Sequence, residues 1–126
     1  MGSLGKDDVM ATKPGHPPES EQLIVVLVTT ASEEEATTIG RDVVKQGLAA
    51  CANILALKKS IFQWEGKLAE EQEFLMIIKS RSDLFEDLSV AIKRLHSYKV
   101  PEIVAIPIVK GSAEYMKWVL DATTSS

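Results

Sequence analysis

The chain has 126 residues, 45% of them apolar and 25% charged, which describes one globular domain with room for a modest core and none for a second. Its net charge of −4 comes with scattered lysines, so nucleic acid is a poor partner, because phosphate binding needs a clustered basic surface. One cysteine, Cys51, excludes an intrachain disulfide framework and a multi-cysteine zinc site within the chain, and it fits a reducing, cytoplasmic setting; no apolar run approaches the roughly 20 residues of a membrane span, so membrane attachment is not indicated.

Residues 1–20 carry Gly, Pro, Ser and charge without periodicity and read as a flexible tail, with His16 set between Gly15 and Pro17. The domain proper is expected over 21–126. It begins with "LIVVLVTT", a β-rich run, followed by "SEEEATTIGRDVVKQG", where Ala36, Ile39 and Val43 recur at helical spacing. Ser32 with Glu35 three residues on predicts a capping box, and Gly47 falls where a left-handed helix terminator belongs. The stretch from Leu48 to Ser80 predicts two or more strands with a hairpin turn at Glu65, Gly66 and Lys67. A second amphipathic helix follows, with Leu84, Phe85, Leu88, Ala91, Ile92 and Leu95 on one stripe and Ser82 as its expected N-cap. "HSYKVPE" leads into a last strand, "EIVAIPIV", and "SAEYMKWVLDATT" closes the chain as a short helix.

The order βαββαβ plus one helix predicts an α+β fold of the split βαβ, ferredoxin-like type, with two helices on one face of an antiparallel sheet. Pro107 lacks the donor that a central strand needs, so the last strand belongs at an edge. In "LIVVLV", "FLMII" and "IVAIPIV" both alternating sets are apolar, which predicts that both sheet faces are buried although only two main helices exist. Another copy of the chain is the economical cover. Burying roughly 700 Å² of apolar area per chain at about 25 cal/mol/Å² is worth on the order of 15 kcal/mol before association costs.

Five ordered motifs, "LAACANI", "WEGK", "EFLMIIKS", "HSYKVPEI" and "GSAEYMKWV", make the chain resemble the CutA divalent-cation-tolerance family over about Leu23 to Thr123. The resemblance implies a homotrimer of ferredoxin-like protomers, related in architecture to the nitrogen-regulatory PII proteins, that binds copper or another divalent cation weakly. It implies a candidate site in clefts between protomers, with Cys51, Glu73 and His96 as metal ligands and Trp64, Lys79, Tyr98 and Glu102 beside them. The donor types suit it: thiolate and imidazole bind Cu(I), Cu(II) or Zn(II), carboxylates neutralise the ion, and Lys79 can receive an anion instead. Where the family has His-Pro-Tyr, this chain has His96-Ser97-Tyr98.

Plainer roles stand beside these. Cys51, among small apolar neighbours, suits a buried hydrophobe as well as a ligand; Trp64 and Trp118 suit packing anchors; Glu70 and Glu71 suit a solvated hairpin edge that blocks strand aggregation. Three function classes follow: a trimeric cation-homeostasis protein, a PII-like regulatory or scaffold module reading a small anion or a protein partner, and an enzyme using Cys51 or His96. The enzyme is the weakest, since no base or orienting group accompanies Cys51 in sequence and neither a P-loop nor a GxGxxG pattern occurs.

Overall fold

The structure, a computed structural model, describes residues 17–123. Most of the expected tail, and His16 with it, lies outside the described residues. The elements run β1 (Leu23–Thr30), α1 (Glu33–Lys45), β2 (Cys51–Ala56), β3 (Ser60–Trp64), β4 (Lys67–Glu71), β5 (Phe74–Arg81), α2 (Phe85–Leu95), β6 (Ile103–Pro107) and α3 (Ala113–Ala122).

Four strands form one antiparallel sheet in the order β2-β5-β1-β6, and β3 and β4 form a separate two-stranded hairpin. The order puts the first strand between the third core strand and the last, which is the split βαβ, ferredoxin-like arrangement, with the hairpin inserted between its second and third strands. The edge expected for the last strand is found: among the described residues β6 pairs only with β1, Pro107 opposite Ile24. The hairpin turns at Glu65 and Gly66, both at positive φ (52° and 79°), the backbone of a tight two-residue turn.

Helix α1 starts as its sequence dictates. The Ser32 hydroxyl accepts the Glu35 N–H at 3.1 Å, while Glu35 Oε1 accepts the N–H of Ala31 at 3.3 Å. It stops at Gly47, whose φ of 74° satisfies the terminal carbonyls in a left-handed turn. Helix α2 departs from expectation. Ser82 does not cap it: residues Ser82–Leu84 form a 3-10 turn and Leu84 precedes the α-helix with no side-chain cap. The Ser82 N–H is already bound to the Gln22 carbonyl at 2.8 Å and its hydroxyl turns to Glu19, so the chain leaves the sheet through that turn first.

Both helices lie on one face. Ala36, Ile39 and Val43 of α1 and Leu88, Ala91 and Ile92 of α2 close over Ile24, Val26 and Val28 of β1 and Met76 and Ile78 of β5. A smaller cluster of Leu23, Ala50 and Val119 seats α3 at the end of the sheet where β1 begins. The opposite face, carrying Val25, Leu27, Leu75, Ile77, Leu55, Val104 and Ile106 by register, has no helix of the described residues across most of it. Leu55, Val104 and Ile106 are about half exposed there, as is Trp64 of the hairpin, and Ile61 and Leu68 of the hairpin are more exposed still.

Candidate functional site

Five of the seven expected site residues fall into two groups at opposite ends of the sheet. Glu73, Tyr98 and His96 meet where β1 ends and β5 begins. Cys51 and Lys79 sit directly opposite one another on β2 and β5, towards the other end. Six residues of extended chain separate Glu73 from Lys79, a distance of roughly 20 Å.

At the first end the polar groups interlock. The Tyr98 hydroxyl donates to Glu73 Oε2 at 2.6 Å, and Glu73 is buried although it carries a carboxylate. A buried carboxylate without a donor is costly, so this bond decides whether Glu73 can stay where it is. Burial first, then the hydrogen bond to Glu73, then the negative charges of Glu73, Glu35 and Glu71 push the Tyr98 hydroxyl well above the ordinary tyrosine range.

His96 holds Tyr98 in place. Its side chain is fully buried, Nε2 lies 2.7 Å from the Thr29 carbonyl, and Nδ1 lies 3.1 Å from the Tyr98 backbone N–H. A carbonyl can only accept and an amide N–H only donate, so the ring is fixed with its proton on Nε2 and its lone pair on Nδ1 directed at Tyr98. Both nitrogens are thereby used. A direct metal bond from His96, the ligand expected from the resemblance, would require one of these bonds to break.

Glu35 completes the junction. Its Oε2 accepts the Ser97 N–H at 2.5 Å while its other oxygen serves the α1 cap. A proline at position 97, as in the family motif, has no N–H to give; the serine lets α1 clamp the loop by hydrogen bonding instead. Nothing in the sequence pattern marked Glu35 beyond its capping role, because its second partner lies 62 residues away.

At the second end, Cys51 is a free, partly buried thiol whose Sγ lies 3.7 Å from the Tyr115 hydroxyl of α3. Lys79 Nζ is hydrogen-bonded to the Asn53 side-chain oxygen beside it. Tyr115 stacks at 5.6 Å against Trp118, which is exposed. Trp64 is exposed at the hairpin turn, and Glu102 is exposed just before β6, so neither joins either group within one chain. Among the described residues no cluster of three or more His, Cys, Asp or Glu side chains is disposed to hold a metal ion. Among the described residues, the donors of a single chain therefore do not come together around one ion.

The CutA1 divalent ion tolerance protein model matches residues 24–122. Among curated proteins the chain is similar to the divalent-cation tolerance protein CutA of Thermus thermophilus, 46% identical over 88 residues, covering 70% of this chain and 85% of that one. It is 40% identical to human protein CutA over 90 residues, but spans only 50% of that protein's length. Among solved structures, the Cut A1 protein from Thermus thermophilus superposes with a TM-score of 0.79 at 44% identity, covering 81% of this chain and 99% of that one. CutA1 from Oryza sativa does so with a TM-score of 0.80 at 37% identity, covering 83% and 96%.

Proposed function

The chain belongs to the CutA1 divalent ion tolerance family, and on that footing we propose that it serves divalent-cation tolerance as a homotrimer that holds a copper-type cation weakly where its copies meet. The observation that carries this reading is the sheet face without a cover. Leu55, Val104 and Ile106 on that face, and Ile61, Trp64 and Leu68 on the adjoining hairpin, are each close to half exposed or more. An isolated two-stranded hairpin is marginal in water, so β3 and β4 need a neighbour to pack against. Copies of the same chain supply one surface for both needs.

Assembly also answers the separation of the donors. Cys51 and Glu73 lie too far apart in one chain to share an ion, so a shared site takes Cys51 from one copy and Glu73 from another. In that arrangement His96 acts through its neighbours: it fixes the Tyr98 backbone, and Tyr98 fixes the Glu73 carboxylate. Cys51, a free thiol, suits a reducing compartment, and the cytoplasm is the proposed location.

Titration of the purified protein with Cu(II) and Zn(II), with mass measured in parallel, tests the reading. Cys51→Ala and Glu73→Gln should each weaken binding about tenfold or more while the trimer persists. Unchanged affinity in both variants would remove the cation site. The second reading, a PII-like regulatory or scaffold module for a small anion or protein partner, rests on the architectural likeness that the family resemblance implies. A nucleotide titration in the same samples separates the two, since nucleotide binding that survives chelation belongs to the second alone.

A further inference from the structure

On the outer flank of α2, a cavity of about 510 Å³ opens between that helix and the segment leading into β6. Its apolar lining comes from Phe85, Pro101 and Ile103, with the exposed Val100 at its rim and Tyr98 beside them. Three polar side chains enter it from one face of α2, Glu86, Ser89 and Lys93, at spacings that align them along the helix. Lys99 enters from the facing segment.

Two features mark this opening as more than a bare surface. Ser89 is 8% exposed, yet its hydroxyl has no hydrogen-bond partner among the described residues. A buried hydroxyl that could bond back to its own helix, as the Thr123 hydroxyl does to Val119, and does not, is a donor left for something else. Lys93 and Lys99 likewise form no ion pair among the described residues, although both face the same opening. With Glu86 opposing them, the opening carries one net positive charge.

We propose that this pocket binds a small organic monoanion, an apolar body ending in a carboxylate. Lys93 and Lys99 hold the carboxylate, the Ser89 hydroxyl donates to it, and Phe85, Val100 and Ile103 take the apolar body. A doubly charged phosphate fits less well, because Glu86 opposes the second charge. The volume lies within the range of small-molecule sites, and an apolar floor with a few convergent polar groups is their usual make-up. The pocket goes beyond the cation reading: its charged and donor groups, Lys93, Lys99 and Ser89, are none of Cys51, Glu73 or His96, and only Tyr98 borders both.

The experiment is an amide NMR titration of the intact protein with benzoate, and with benzyl alcohol as its neutral counterpart. Benzoate should shift Ser89, Val100 and Ile103 and saturate near millimolar concentration, the range for a ligand this small. Benzyl alcohol should bind about tenfold more weakly or worse, and Lys93→Met with Lys99→Met together should cost benzoate about the same factor. Ser89→Ala should cost a few-fold through the lost donor. Absence of shifts at these three residues, equal affinity for the neutral compound, or affinity unchanged by both sets of substitutions would each overturn the proposal. Cation titration of the same variants keeps the two readings apart: benzoate binding weakened with cation binding retained supports the pocket as a separate site, whereas benzoate binding absent from the native chain while its cation binding persists sinks the pocket alone.

Discussion

Tyr98→Phe removes one oxygen atom and leaves the ring that packs 4.9 Å from His96. The oxygen lost is the donor, 2.6 Å from Glu73 Oε2, to a carboxylate that is only 6% exposed. A hydrogen bond to a charged acceptor is worth about 1.5–3 kcal/mol, and leaving the acceptor buried without it costs in the same range, so the substitution should destabilise by about 2 kcal/mol. For a folded unit of this size that corresponds to a fall in Tm of roughly 10 °C, measured at fixed protein concentration because assembly couples to stability. The specific signature is a double-mutant cycle with Glu73→Gln, followed by chemical denaturation. Tyr98→Phe should cost much less in the Glu73→Gln background, with a coupling of about 1 kcal/mol or more. Equal costs in the two backgrounds, or a cost below about 0.5 kcal/mol in the native one, would refute the assignment of this bond as the support of Glu73.

The raised Tyr98 titration has a pH consequence: its contribution to stability is complete below the ordinary tyrosine value of 10.0 and is lost as pH rises beyond it, so urea midpoints should fall above about pH 10 in the native chain and fall less in Tyr98→Phe. Glu35→Ala removes the acceptor of both the Ala31 and Ser97 N–H groups and should destabilise by about 1–2 kcal/mol, with hydrogen exchange accelerating at Ser97; unchanged exchange there would deny the clamp. At the hairpin, Glu65→Asn should raise stability by a few tenths of a kcal/mol because asparagine tolerates the φ of 52° better, whereas Gly66→Ala should lower it by about 1 kcal/mol through strain alone, since no atom stands within 4 Å of the added methyl.

Local devices were legible in the sequence because their partners lie within a few residues. The Ser32 cap, the Gly47 terminator and the Glu65–Gly66 turn each depend on a window of four or five positions. The edge place of the last strand was legible from Pro107 alone. Ser82 misled because a serine before an amphipathic run has the pattern of a cap, while its actual conformation follows from the Gln22 carbonyl 60 residues earlier in the chain, a tertiary constraint that propensity does not contain. The candidate site was legible as residue types and not as geometry. Sheet register sets Cys51 against Lys79 and leaves Glu73 at the far end, and register is a long-range property. The second role of Glu35 escaped notice for the same reason, its partner Ser97 being brought close only when α1 and α2 pack side by side. The doubly apolar strands remain the most informative sequence feature, for one of the faces they predict to be buried is bare in the single chain.

The measurement that bears most directly on the central claim is the mass of the native protein in solution, by light scattering or sedimentation at micromolar concentration. The uncovered sheet face and the unsupported hairpin predict three chain masses, unchanged on dilution and lost only together with the fold. A stable, folded monomer at that concentration would contradict the account, and with it any site assembled between copies.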